Sequence, residues 1–329
     1  MKKILFRADA KPSIGVGDLM SLITLSKYLD ETWKIYFIIK DYTAALKLVN
    51  QHQLKNILII KKNITLENEI TFINNNVKQL SIDIICLEIT EIKLSFYNKL
   101  VREVKKVAIN FDGYIPQGLD LLINWDIDAK TLYKIKEHSK TKFLLGPQYV
   151  ILPKELYRIK KKNNIDKPKK LLIAMGGADE FNLTQKIISV ILKNKLDLTT
   201  TIVIGAGYEY LSSLQETLKR STMKCNIKQN ITNMTEEYIN CDIAIGAGGL
   251  TASELIASKV STILIATYQH QVARCQYFHN NGFACYLGLK KFNHSTLVKL
   301  LLNPSKIKGQ ITFKTPEIIE EIKTLVNTK

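Results

Sequence analysis

Cysteine is scarce and unpatterned in this chain. The five residues Cys86, Cys225, Cys241, Cys275 and Cys285 make no C-x-x-C pair and no regular spacing in 329 positions. A disulfide framework and a zinc ribbon are therefore excluded, and a reduced, cytoplasmic chain is the simplest expectation. Histidine is equally sparse: His52, His138, His270, His279 and His294 form no H-E-x-x-H or other compact arrangement, so neither a metal nor a cofactor is expected. No apolar run approaches the roughly 18 residues of a membrane span. Arg7 and Asp9 interrupt the first apolar run before it could become the core of a secretory signal. No Gly-Lys-Ser or Gly-Lys-Thr follows a glycine turn, which removes the Walker-type ATPases and GTPases, and no G-x-S-x-G elbow offers an acyl-transfer serine.

Acidic residues are also in deficit, with 30 Asp and Glu against 47 Lys and Arg and a formal charge of +17. Such a charge draws phosphates, nucleic acid or anionic lipid without placing a site. The lysine-rich run at 158–170 is short and carries no aromatic on which a base could stack, so no specific nucleic-acid partner is expected. Peripheral association with an anionic membrane surface is compatible with the charge. Oligomeric state is not legible.

What the chain does have is apolar material, at 46% of residues, and a recurring unit of short apolar run, polar or glycine turn, and longer helical pattern. Residues 3–9 read as a strand, 15–17 as a turn and 18–29 as a helix; further strands are expected at 35–39, 57–60, 82–86 and 107–109. The pattern stops at 158–170 and restarts with strands at 171–175, 200–204, 242–245, 262–266 and 283–286. The helices of this second half are expected at 181–192, 208–218, 251–257 and 271–279, with a last helix at 316–326. This predicts two doubly wound α/β lobes, 1–157 and 171–329, joined by a linker at 158–170. Such sheets bind ligands beyond the carboxyl ends of their strands, which places the expected site in an interdomain cleft.

Two glycine turns carry the strongest chemical signal. In DIAIGAGGLTASELIA, residues 242–257, a strand enters Gly246, Gly248 and Gly249, and a helix follows. Glycines permit close approach of a ligand, and the free N–H groups of a helix start suit a diphosphate; a purely structural turn is the alternative. The spacing of Thr251 and Glu254 fits a capping box. Glu254 either satisfies that cap or accepts hydrogen bonds from ribose hydroxyls. In RADAKPSIGVGDLM, residues 7–20, the first strand delivers Arg7 and Asp9, and the turn at Gly15 and Gly17 delivers Asp18 at a helix start. There Asp18 is either a helix cap or a carboxylate that deprotonates water or a hydroxyl. Gly176, Gly177 and Asp179 form a third strand-to-helix turn, and Gly205 and Gly207 a fourth, consistent with one extended binding rim. His270 is the histidine placed nearest a site, and Asp112 and Asp126 lie at strand ends as substrate-contact candidates.

The succession RADAKPSIGVGDLM, LLGPQYVILPKEL, IAMGGADEFNLT and IGAGGLTASELIA resembles the PseG/SpsG family of nucleotide-sugar hydrolases over nearly the full chain, and the last motif also resembles MurG-like glycosyltransferases. The resemblance implies a GT-B-like pair of Rossmann-type lobes holding a UDP-sugar or another nucleotide sugar. It places Gly248, Gly249 and Leu250 on the diphosphate; the strand-end glycine turns themselves put Gly176, Gly177 and Gly205 on the same nucleotide-binding rim. Glu254 falls on the ribose and Gln271 near the sugar-phosphate junction, with Gly15 and Gly17 on the opposing face, where the first strand's Arg7 and Asp9 are substrate-binding candidates by position. The resemblance implies metal-independent hydrolysis in surface polysaccharide or nonulosonate synthesis. One departure is informative: the family carries a catalytic histidine where this chain has Asp18. With Asp18 as the base, the attacking group is water or an acceptor hydroxyl. The corresponding readings are hydrolase, glycosyltransferase and, if turnover has been lost, a noncatalytic nucleotide-sugar-binding protein.

Overall fold

The computed structural model describes residues 1–11, 16–89, 94–110, 115–133, 140–159, 167–205, 207–229, 231–304 and 311–327. The chain divides into two compact units, one formed by Met1–Pro153 with Thr312–Lys329 and the other by Lys154–Ile311.

The first unit runs β1 (Lys2–Ala8), α1 (Gly17–Ser26), β2 (Trp33–Lys40), α2 (Thr43–Gln51), β3 (Ile57–Ile60), α3 (Leu66–Leu80), β4 (Ile84–Glu88), α4 (Leu94–Lys99), β5 (Lys105–Ile109), β6 (Leu121–Asn124), α5 (Ala129–Leu132) and β7 (Lys142–Leu145). Its strands form one parallel sheet in the order β3-β2-β1-β4-β5-β6-β7. The central strands are buried on both faces, which is why they read as unbroken apolar runs rather than alternating ones. Leu5, Ile38, Ile85 and Leu87 meet Ile70, Ile73 and Val77 of α3 in the core. Thr65 caps that helix by accepting from Asn68 N, and Ser81 ends it in the left-handed conformation at φ 52°.

The second unit runs β8 (Lys170–Ala174), α6 (Leu183–Lys193), β9 (Thr199–Ile204), α7 (Leu211–Lys219), β10 (Cys225–Gln229), α8 (Thr235–Asn240), β11 (Ile243–Ala247), α9 (Leu250–Ala257), β12 (Ser261–Ala266), α10 (Val272–Asn280), β13 (Cys285–Leu289) and α11 (His294–Leu302). Its parallel sheet has the order β10-β9-β8-β11-β12-β13. In both sheets the strand order reverses direction next to the first strand, between β1 and β4 and between β8 and β11. The crevice at such a reversal is where open α/β sheets take ligands.

The last helix, α12 (Thr315–Thr324), packs with the first unit, whereas the sequence pattern groups it with the second. Polar contacts hold it there. Tyr149 Oη donates to Glu317 at 3.0 Å, Leu152 N donates to Thr315 Oγ1 at 3.0 Å, and Lys142 pairs with Glu321 at 2.6 Å. Much of the run expected as a linker, residues 160–166, lies outside the described residues. Among the described residues no helix is long and apolar enough to cross a membrane.

Candidate functional site

In the second unit the turns after β8, β9 and β11 share one edge of the sheet because those strands are parallel neighbours. Gly176, at φ +87°, faces Ala247, and a Cβ placed on it would lie 3.9 Å from the Ala247 Cβ. Gly207 N donates to Gly177 O at 3.0 Å, tying the second turn to the first. Gly205 packs hardest: a Cβ there would lie 2.3 Å from Gly177 O, a backbone atom that cannot swing aside. Replacing Gly205 by alanine is therefore expected to destabilise the unit by about 1–3 kcal/mol, the range for overpacking, read as a lowered unfolding midpoint.

Gly248 lies against α10, where an added Cβ would come 2.5 Å from Cys275 Sγ and 2.9 Å from Gln271 Cβ. Gln271 is buried, and its Oε1 accepts from Thr267 N and Oγ1, each at 2.9 Å. Its amide nitrogen thereby faces Gly249, 3.7 Å from where a Cβ would stand. Gly249 is the N-cap of α9 and supplies no side chain, so no side-chain cap engages the N–H groups at Leu250 and Thr251. The capping box expected of Thr251 and Glu254 does not form. Gly249 already turns the chain, the helix starts at Leu250, and Thr251 falls inside it. The Glu254 carboxylate is left for another partner and accepts from Tyr238 Oη at 2.6 Å. Burial raises the Glu254 pKa, with the tyrosine bond acting against it, while burial and the neighbouring Glu254 push Tyr238 well up.

Asp179 caps α6 instead of joining the rim, with Oδ1 accepting from Leu183 N and Oδ2 from Thr184 N, both at 2.8 Å. His270 is exposed and stacks on Tyr268, ring centroids 5.7 Å apart, in the turn that carries Gln271. Asp126 is half-buried after β6, and Asp112 lies outside the described residues.

In the first unit Arg7 is fully buried, and its guanidinium is taken up by two carboxylates. Nη1 donates to Asp9 Oδ1 at 2.6 Å, Nη2 to Asp9 Oδ2 at 3.0 Å and Nε to Glu69 Oε1 at 2.8 Å. Lys40 Nζ adds a second cation 3.2 Å from Glu69 and 3.9 Å from Asp9. Desolvation would lower the Arg7 pKa, but both carboxylates outweigh it and hold it up. Arg7 and Asp9 thus form a charge-balanced knot at the end of β1, and the guanidinium is engaged within it. Sequence spacing missed Glu69 and Lys40, which lie on α3 and β2 and reach the knot only through the fold.

Gly17 is the first residue of α1 and Asp18 the second; Gly15 lies outside the described residues. Val16 occupies the N-cap position without a side-chain bond, so the half-buried Asp18 is not the cap. Beneath it, β4 ends in Glu88, a buried carboxyl missed by a sequence reading that stops the strand at Cys86. Its signal was there: a single acidic residue closing the run IICLE. Among the described residues no group of three or more His, Cys, Asp and Glu is arranged to hold a metal ion.

These two doubly wound sheets, with glycine turns at the reversal of the second, define a GT-B-fold protein. The model of the glycosyltransferase family 28 C-terminal domain matches residues 171–322. A search of curated proteins finds an uncharacterized protein of Methanocaldococcus jannaschii, 27% identical over 285 residues; the match covers 83% of this chain but only 57% of that relative's length. The Bacillus subtilis spore coat polysaccharide biosynthesis protein SpsG is 22% identical over 288 residues, covering 86% of this chain and 82% of SpsG. Among solved structures, Acinetobacter baumannii MurG superposes with a TM-score of 0.66 at 13% identity, covering 98% of this chain and 100% of MurG. Methanocaldococcus jannaschii UDP-GlcNAc 2-epimerase, in complex with UDP-GlcNAc and UDP, gives 0.61 at 13% identity over 100% of both chains. The chain is a distant relative of family 28 glycosyltransferases and SpsG-like proteins.

Proposed function

We propose that the protein is an enzyme that binds a UDP-sugar through its second unit and transfers the sugar to an acceptor hydroxyl in the assembly of a polysaccharide. The observation that carries this reading is the β8–β11 edge: glycine turns, the uncapped start of α9 and Glu254 stand together inside the span that matches the family 28 domain. Backbone N–H groups at the start of α9 bind the diphosphate and stabilise the negative charge that grows on it as the bond to the sugar breaks. Glu254, with one carboxylate oxygen held by Tyr238, keeps the other for ribose hydroxyls. Asp18 accepts the proton of the attacking hydroxyl, and the bonding pair of the broken C–O bond leaves on the diphosphate.

Water in place of the hydroxyl gives the hydrolase reading, which the order of the four motifs from residue 7 to residue 257 favours. A panel of UDP- and CMP-sugars, incubated with and without acceptors, separates the two: a conjugate supports transfer and free sugar supports hydrolysis. Tight binding without turnover would overturn both and leave a binding protein. Glu254→Ala is expected to weaken UDP binding roughly 10- to 100-fold, the effect of losing hydrogen bonds to a charged group. Glu254→Gln retains an acceptor for the buried Tyr238 hydroxyl and controls for local damage. Unchanged UDP affinity in Glu254→Ala, measured by calorimetry, would remove the nucleotide from this edge.

A further inference from the structure

Glu88 ends an otherwise apolar strand and is 2% exposed. Its register partner on β1 is Ala8, which offers only a methyl group. Asn110, just past β5 and left-handed at φ 50°, donates from Nδ2 to Glu88 Oε1 at 3.0 Å. The two remaining oxygens of the pair, Glu88 Oε2 and Asn110 Oδ1, are both buried without a hydrogen-bond partner. With Glu88 ionised both are acceptors, and neither can serve the other. A single proton on Oε2 would supply the donor that Asn110 Oδ1 lacks, so that acid and amide, already joined through Nδ2 and Oε1, could satisfy each other.

The surroundings favour the same state. Among the described residues, the groups that act on Glu88 are Asp18 and Ser21 from α1 and Asn110, while Cys86 on its own strand and Tyr97 from α4 feel its charge; none of these is a cation. Burial, and after it the charge of Asp18, hold the Glu88 pKa well above its ordinary 4.5, against the opposing effects of the Asn110 hydrogen bond and of the nearby Ser21 hydroxyl, whose proton goes to Gly17 O. Arg7 lies one residue before Ala8 on β1 and is taken up by Asp9 and Glu69. Position completes the case. Glu88 closes β4 at the carboxyl end of the sheet's reversal point, beside β1, the strand that α1 and Asp18 follow.

We propose that Glu88 is a positioning residue for Asp18: paired as a neutral acid with the Asn110 carboxamide, it carries the one proton of a two-carboxyl site and leaves the single negative charge on Asp18. Two carboxyls that share a site separate their proton affinities, so one is held neutral while the other stays an ionised acceptor. The effect on turnover rests on the function proposed above, whereas the protonation of Glu88 does not.

The test is a titration of the full chain carrying 13C-carboxyl-labelled glutamate, followed by NMR, with Glu88→Gln to assign the signal. A protonated Glu88 is expected at pH 7, and its midpoint should fall in Asp18→Asn, where the neighbouring charge is gone. An ionised Glu88 at pH 7, or a midpoint indifferent to Asp18→Asn, would overturn the proposal. Stability gives a second readout. Because the folded value is raised, the stability contributed by neutral Glu88 is full below 4.5 and is lost as pH rises toward the folded value. The stability of Glu88→Gln should accordingly decline less with pH above that point than the parent's, and parallel curves would count against the neutral acid. In the turnover profile, the alkaline fall of the parent should track the Glu88 midpoint and move in Glu88→Gln; an unmoved profile would leave Glu88 a structural acid only. If no nucleotide sugar is turned over, the proposed function fails, and the NMR midpoints still decide the charge state.

Discussion

Replacing Asp18 by asparagine is expected to lower turnover by about 10²–10⁴-fold, the range lost with a general base, while UDP affinity is retained. The two effects separate because Asp18 and the edge proposed to bind the nucleotide belong to different units of the chain. Asparagine keeps the size of the side chain at the second position of α1 and removes only its charge. Val16 holds the N-cap position, so the substitution removes no cap; it loses the helix-dipole contribution of an acidic residue in the first turn, roughly 0.3–1 kcal/mol, and relieves the repulsion of Glu88. Steady-state kinetics with the substrate found in the sugar panel, beside calorimetry with UDP, checks this. Turnover equal to the parent's would remove Asp18 from the chemistry, and a matched loss of turnover and UDP affinity would point to a damaged fold.

Arg7→Leu should give the largest loss of stability, on the order of 3–5 kcal/mol, the effect of breaking a buried ion pair. Leucine fills the volume but leaves Asp9 and Glu69 buried with Lys40 alone, whose Nζ stands 3.2 Å from Glu69 and 3.9 Å from Asp9. Arg7→Lys restores charge without the planar fork that now holds two Asp9 oxygens and Glu69, so it should recover part of the loss. Urea unfolding of the three proteins measures this directly. A leucine variant as stable as the parent would mean that the knot breaks even against a hydrophobic replacement, as some buried pairs do.

Most of the fold was legible from its apolar strands. β1, β2, β3, β8, β9 and β12 announce themselves as runs such as KILF and TILIA, and the helix pattern between them leaves little choice but parallel crossovers. β6 and β7 were passed over although LLIN and KFLL are no shorter than β3, and β10 was missed because its CNIKQ is half polar. Local spacing also misread the start of α9: Thr251 and Glu254 have capping-box geometry on paper, but glycine at 249 turns the chain first. The chemistry divides in the same way. Glycine turns are local and can be read from sequence, whereas the Arg7 knot and the Glu88–Asn110 pair join residues 62 and 22 positions apart and exist only once the sheet order is known.

The attachment of α12 to the first unit has a consequence for the order in which the molecule is made. A chain leaves the ribosome amino end first. The second unit is one continuous stretch, Lys154–Ile311, and can complete its own contacts as soon as it has emerged. The first unit begins earlier yet finishes later: Tyr149 and Lys142 wait for Glu317 and Glu321 until the whole of the second unit has been synthesised. Nor does any single cut divide the molecule into two intact units, since a break near Pro153 would strip the first of its last helix.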